Sequence, residues 1–274
     1  MFAFADVFWT TGSLSGEASF TGASSVFGNA ALLAAGIEKQ VMVEGSYLAG
    51  GSSLVRTGFM GKFGGSSVGA GLRFWSPGRI TTYDEFAEES GSVLPWRVLV
   101  SFAYSPAISF LGSFYGGAGV DMYICQDESM SFGGAFKAGL ASTGLSFLRL
   151  FSAYVSIGYD PWLGFSPQIT VLGDYAVYSA GTSSVDAGAV VSYRYGPMLS
   201  LFVSYGDSLK AFKGLDIGFS LKVYYEPSFS TIYVSPLSGT GLFLDVAMKS
   251  IDLWFNIKMQ SQFVFYTAGF SYAL

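Results

Sequence analysis

The sequence has no histidine, a single cysteine (Cys125) and few charges: 12% of its 274 residues are Asp, Glu, Lys or Arg, where soluble domains carry about a quarter. Each shortage excludes something. Without histidine there is no Ser–His or Cys–His nucleophile pair and no His-based zinc site. No catalytic residue, no metal and no cofactor is therefore expected, and the chain reads as a non-enzyme. One cysteine leaves no intramolecular disulfide. A net charge of −5 without a basic cluster argues against the electrostatic footprint of a nucleic-acid binder. Also missing is the run of about 20 apolar residues that each membrane-spanning helix needs. The longest informative uncharged stretch, Val98 to Val120, is broken by Pro106, Gly112, Gly116, Gly117 and Gly119. Its apolar residues alternate instead of recurring at helical spacing.

What is present is apolar. Hydrophobic residues make up 51% of the chain and aromatics 18%, with 36 glycines, and the mean hydropathy is +0.45. A soluble protein of this composition would need an exceptionally large core or would expose adhesive surface. The pattern offers another solution. Between Gly214 and Glu226, Ile217, Phe219, Leu221, Val223 and Tyr225 share one strand face, while Asp216, Lys222 and Glu226 share the other with Gly218, Ser220 and Tyr224. The period is two, and every charge lies on the second face. The same alternation sets Val41, Val43 and Tyr47 against Glu44 and Ser46, and Val55, Phe59 and Phe63 against Arg56, Gly58 and Lys62. It recurs to the last residue.

The fold class is therefore all-β: a transmembrane antiparallel β-barrel of about fourteen strands, apolar side chains toward lipid and polar ones toward a lumen. The charges expected inside are Glu44, Arg56, Lys62, Arg73, Asp121, Lys137, Asp186, Arg194, Asp216, Lys222, Asp245, Lys249, Asp252 and Lys258. Arg149, near a strand end, is the outward exception. The eighth strand is expected at roughly Pro167 to Tyr178. Ser228 to Ser235 is assigned to a loop, because Pro227 and Pro236 flank it and its alternation is weak. An even count puts both chain ends on one side, so the long connections 76–95 and 227–239 fall on the extracellular side.

Three regions follow. Residues 1–5 read as the end of a signal peptide, with Ala3 and Ala5 at the small positions of an A-x-A site and Asp6 as the mature N-terminus; chance is the alternative, alanine being common. Residues 6–40 read as an N-terminal plug or hatch, and 41–274 as the barrel. Within the plug, Ala30 to Ala35 favours a short helix, capped by Asn29 at its start and Gly36 at its end. It is too short to cross a bilayer and is most simply lodged in the lumen.

The segment Gly22-Ala-Ser-Ser-Val-Phe-Gly-Asn29-Ala30-Ala31-Leu32 resembles the hatch motif of the FadL/TodX-like outer-membrane long-chain fatty-acid transporters, roughly small-Ser-x-x-(Tyr/Phe)-x-Asn-Pro-Ala-x-(Leu/Met). Asn29, Ala31 and Leu32 match it and Phe27 fits the aromatic position, while Ala30 stands where the family has proline. The remaining resemblance is architectural: a plug, then about fourteen strands running to the C-terminus. That terminus is Leu274, where bacterial barrels usually end in an aromatic, with Phe270 and Tyr272 preceding it. The resemblance implies a channel in the bacterial outer membrane for passive uptake of hydrophobic substrates such as long-chain fatty acids. Its partners would be outer-membrane lipid, a hydrophobic small molecule and, during insertion, the barrel-assembly machinery. Related plug-containing barrels serve in protein secretion, so the alternative is a non-transporting surface-exposed barrel: a structural protein, an antigen or a secretion scaffold.

Two groups of candidate site residues result. Phe27, Asn29, Leu32 and Leu33 would gate a hydrophobic path, or else fill the lumen permanently. Arg194, Lys222, Lys249 and Lys258 would attract a fatty carboxylate through charge-assisted hydrogen bonds, or else pair with Asp186, Asp216, Asp245 and Asp252. Gly116, Gly117 and Gly119 mark either a kink that opens the wall sideways or room for the plug. Asp84 to Glu89 reads as a solvated loop, not a cation site.

Overall fold

Period-two alternation dictates strands, and strands in hydrocarbon must all find neighbours. The computed structural model describes residues 22–274 apart from 37, 49–50, 84–88, 107–108, 111–113, 128, 143–150, 162–163, 166–167, 174–175, 182–186, 196–198, 208–212, 226–227, 236–238 and 261–262. Through 166–231, and at scattered positions elsewhere, only the backbone is described. Among the described residues the main sheet has eighteen strands, of which Ser109–Phe110 and Gly164–Phe165 are two residues long. The other sixteen are β1 (Lys39–Leu48), β2 (Ser52–Phe63), β3 (Ser66–Ser76), β4 (Trp96–Ser105), β5 (Phe114–Gln126), β6 (Met130–Ser142), β7 (Phe151–Asp160), β8 (Gln168–Gly173), β9 (Ala176–Gly181), β10 (Ala187–Tyr195), β11 (Leu199–Asp207), β12 (Lys213–Tyr225), β13 (Ser228–Ser235), β14 (Gly239–Ala247), β15 (Ile251–Gln260) and β16 (Phe263–Ala273).

Each of these strands pairs antiparallel with the next. The last also pairs with the first, Gln40 lying opposite Ala273 and Leu48 opposite Phe265. The circuit of pairings therefore returns to its start, as closure of a barrel requires. Both chain ends of the ring meet at one rim, where the Leu274 N–H donates to the Lys39 carbonyl at 3.1 Å. Among the described residues no helix is long and apolar enough to cross a membrane; the strands are the crossing elements.

The sixteen principal strands exceed the expected fourteen for two reasons. The stretch expected as one strand near Pro167–Tyr178 is two antiparallel strands, β8 and β9. Ser228–Ser235, assigned to a loop, is β13. Its two prolines lie just outside the strand, so no N–H is missing from its ladder with β12 and β14. The connection 227–239 is thus not a long loop. The 76–95 connection remains long, and it carries a hairpin of its own, Ile80–Tyr83 against Glu89–Val93. Ser76 ties its base by donating to the Pro95 carbonyl at 2.9 Å. Lys249 is a further correction. The Met248 and Ile251 main chains bond each other in both directions, at 2.7 and 3.3 Å. Lys249 therefore sits exposed in a two-residue turn at the rim, not on a strand face toward the lumen.

The two faces of the wall differ as expected. On β6, Phe136 is 75% exposed and the adjacent Lys137 is 4% exposed. Tyr47, Phe59, Phe102, Ile157, Phe255 and Phe270 are large, apolar and exposed around the outer face, whereas Glu44, Asp121, Lys137, Asp160 and Lys258 are buried inside. Asp186, Arg194, Asp216, Lys222 and Asp245 have side chains outside the described residues, as does Arg149. The lumen is occupied by residues 22–36, wound into two 3-10 helices, Gly22–Phe27 and Ala30–Ala35, which lean on β1 to β6. Residues 1–21, including the expected signal-peptide end and the first part of the plug region, lie outside the described residues.

A charge on the outer face belongs in no solvent. Phe136→Arg, at the middle of β6, is expected to destabilise the folded barrel in lipid vesicles by about 2–4 kcal/mol, while Phe136→Leu stays within roughly 1 kcal/mol. Reversible urea titration of the vesicle-inserted protein measures both.

Candidate functional site: the plug and its seat

The plug sequence, residues 22–36, contains no charged residue and is mostly small. Small residues let it coil tightly: Gly28, Leu32 and Gly36 each donate their N–H three residues back, to Ser25, Asn29 and Leu33, at 3.1–3.2 Å, which is 3-10 winding. Asn29 caps the second helix, its Oδ1 accepting the Ala31 N–H at 3.0 Å. Gly36 ends it as expected, with an ordinary extended conformation (φ −74°). Ser25 donates to the Gly22 carbonyl at 2.7 Å.

The seat is made of glycines. A Cβ at Gly117 would stand 2.3 Å from the Ala31 nitrogen, one at Gly69 would stand 2.3 Å from Val26 Cγ2, and one at Gly58 would stand 2.7 Å from the Ala23 carbonyl oxygen. At Gly71 it would meet the Phe27 ring at 2.5 Å. These contacts are closer than any Cβ tolerates, so the plug lies directly against the bare backbone of β2, β3 and β5. Of the two readings for the β5 glycines, Gly117 makes room for the plug, whereas a side chain at Gly119 would meet the neighbouring strand at the Phe102 carbonyl, 2.8 Å away. Val26, Ala30 and Leu33 pack with Met42, Met60 and Ala103 of the wall. Ala31 and Leu32 pack with Ala141. Leu32 and Leu33 are buried, each side chain contributing roughly 1.5–3 kcal/mol by leaving water.

Polar anchors complete the seat, and each joins a wall side chain or carbonyl to the plug. The Gln40 Oε1 accepts the Ala23 N–H at 2.8 Å, and its Nε2 donates to Ser271 Oγ at 3.1 Å. Asn29 Nδ2 donates to the carbonyls of Leu140 and Ala153, at 3.0 and 3.2 Å, which face each other across β6 and β7. Lys137 Nζ donates to the Val26 carbonyl at 2.9 Å and lies 2.7 Å from Asp121 Oδ1. That carboxylate also accepts from Ser101 Oγ at 2.6 Å. The Arg73 guanidinium lies over the Phe27 ring, 4.9 Å from its centroid, within cation–π reach.

Beside the plug the lumen wall carries charge. Trp254, Gly269, Glu44, Arg56 and Arg73 occupy one cross-strand row over five neighbouring strands. Gly269 leaves the gap through which the Trp254 indole donates to Glu44 at 3.0 Å, and Arg56 bonds the same carboxylate oxygen at 2.7 Å. Arg97 pairs with Asp160 and stacks on Tyr123, 4.6 Å from the ring centroid. Charges buried this deeply persist only when paired.

Of the expected site residues, Phe27, Asn29, Leu32 and Leu33 are brought together in the plug, and Lys258 is buried inside the barrel. Arg194 faces Ser200 in the β10–β11 register and Lys222 faces Thr231 in the β12–β13 register, their side chains lying outside the described residues. Lys249 is at the rim. The sequence reading missed Lys137, Gln40 and Arg73 as plug contacts. Lys137 and Arg73 were legible as lumen charges, but two of these three wall residues grip main-chain groups of the plug, which leave no mark in the sequence.

Two substitutions probe the seat. Gly117→Val is expected to push the plug off β5 and raise single-channel conductance in planar bilayers; Gly45→Ala, where nothing lies within 4 Å of the added methyl, leaves it unchanged. Asn29→Ala removes a cap and two wall hydrogen bonds, and should lower the opening free energy of residues 30–36 by roughly 2–4 kcal/mol, read by amide hydrogen exchange.

No protein-family model and no curated protein sequence matches the chain. Solved structures do. The P. putida toluene transporter TodX aligns with a TM-score of 0.56 at 8% identity, covering 92% of this chain and 94% of that one. The deltaS2 mutant of TodX, a monoaromatic hydrocarbon channel, aligns with a TM-score of 0.50 at 9% identity over the same shares, 92% and 94%. A Pseudomonas aeruginosa FadL homologue aligns at 0.49 and 11% identity, covering 91% and 93%; the fold assignment rests on the two TodX structures. Both TodX alignments cover nearly the whole of each chain, and the protein is accordingly a transmembrane β-barrel with the fold of the TodX structures.

Proposed function

We propose that the protein is a bacterial outer-membrane channel through which small hydrophobic molecules, such as long-chain fatty acids or aromatic hydrocarbons, pass passively around its plug. The observation that carries this reading is the plug itself: an uncharged segment seated by apolar contacts and a few hydrogen bonds on bare glycine backbone, inside a wall whose outer face is apolar. Such a stopper has small side chains to move and no ion pair of its own to break. The aromatic class enters because the TodX structures are described as a toluene transporter and a monoaromatic hydrocarbon channel. By strand alternation, Lys258, Lys222 and Arg194 are the cations expected on the lumen side to meet a fatty carboxylate; Lys249, exposed at the rim, is not among them.

The second reading, a non-transporting barrel, draws on a specific observation too. Gln40, Asn29, Lys137 and Arg73 hold the plug at four places, as suits a permanently filled lumen.

Proteoliposomes separate the two. The wild-type barrel is expected to take up labelled oleate or toluene faster than protein-free vesicles, and removal of residues 22–36 is expected to raise the rate several-fold. Uptake in neither protein would exclude transport and leave the non-transporting barrel.

A further inference from the structure

Residues 22–36 of the plug carry no charge, yet a buried wall cation points at them. Lys137 is 4% exposed. In register it lies opposite Gly119, while Asp121 lies opposite Ala135, so lysine and aspartate are diagonal neighbours on β6 and β5. A diagonal pair satisfies the wall by itself. The ammonium nevertheless reaches past the wall to the Val26 carbonyl. That carbonyl belongs to the last turn of the first 3-10 helix, where main-chain oxygens have no partner inside the helix.

We propose that Lys137 is the positioning residue that holds the plug shut: its ammonium, fixed by Asp121, grips the plug through the Val26 main-chain carbonyl. Ser101, donating to Asp121, keeps the carboxylate aimed. Because the acceptor is main chain, no side-chain change within the plug removes this grip. This anchor joins a full charge to an oxygen, and charge-assisted bonds are about twice as strong as neutral ones. The Gln40 and Asn29 contacts orient the segment; Lys137 decides whether it stays. This inference deepens the channel reading and rests on it only for its consequence, not for its test.

The test reads plug exposure directly. In a Cys125→Ser background, Ser25→Cys places a thiol at a position that is 0% exposed, and its labelling by a membrane-impermeant maleimide reports release of the plug. Lys137→Met leaves Asp121 stranded, so the decisive variant is the double substitution Lys137→Met with Asp121→Asn, which removes both charges. Labelling in this variant is expected to quicken about tenfold or more, with the heat-modifiable mobility of the folded barrel retained. Lys137→Arg, which keeps a cationic donor, is expected to restore a rate within about threefold of the parent. Parent-like labelling in the double variant overturns the proposal, and shows that any effect of Lys137→Met alone comes from the stranded carboxylate. Loss of the folded barrel in the double variant also overturns it, since a residue that holds only the plug is dispensable to the wall. Oleate uptake measured in the same vesicles keeps the two readings apart. Fast labelling without uptake leaves the latch and removes the channel; parent-like labelling with uptake does the reverse.

Discussion

Hydrocarbon offers no hydrogen-bond partner, so every peptide group in it must be satisfied by the protein, and a sheet can meet that demand only by closing. The pairing of β1 with both β2 and β16 is that closure, and the rest of the architecture depends on it. Once the sheet is a ring, its pleat sorts side chains into an outside and an inside with no third choice. A one-residue slip of any strand would exchange the two. On β6 such a slip would trade Phe136 for Lys137. The register is thus fixed by the cost of a charge in lipid as much as by any contact within the wall.

The inside has a different problem, since a ring of this many strands encloses more space than its own side chains fill. This chain fills part of the space with its residues 22–36 and gives them no charge. The choice of residues on both sides of the contact is coordinated. Glycine on β2, β3 and β5 meets Ala23, Val26, Phe27 and Ala31 of the plug, and at Gly58 and Gly117 backbone approaches backbone. Charge is kept in the wall, where Glu44, Asp121 and Asp160 find cations on neighbouring or nearby strands. Apolar packing sets how well the plug fits, and the wall's polar groups set where it points.

The barrel was legible in the sequence because lipid tolerates so little. Alternation in β1, β2, β5 and β6 is nearly free of exceptions, and it predicted the faces of Glu44, Arg56, Asp121 and Lys137 without knowledge of any partner. The Asn29 cap was legible for a similar reason: an asparagine before Ala-Ala-Leu-Leu-Ala-Ala has one obvious local use. Connections were harder to read. Pro227 and Pro236 looked like loop residues, yet a proline one position outside a strand costs the ladder nothing, and β13 lies between them. Lys249 looked like a lumen charge because β14 alternates into it, but turn chemistry over two residues outranks two more positions of pattern. Least legible was the seat. Gly117 was legible as room for the plug, but Gly58, Gly69 and Gly71 have no side chain with which to announce a contact, and the acceptor for Lys137 is a carbonyl that every residue possesses.

That illegibility bears on how closure can vary. A stopper held by complementary side chains would need paired changes on both partners to loosen or tighten it. Here Gln40 and Lys137 of the wall address the plug's main chain, so single wall substitutions are sufficient. A methyl at Gly117 acts sterically, an amide in place of the Asp121 carboxylate acts electrostatically, and neither requires the plug to change in concert. The outer face is indifferent to both, because pleating separates lumen positions from lipid positions at every second residue. A barrel with this division keeps its anchorage in the bilayer constant while the fit of its stopper is adjusted one inward residue at a time.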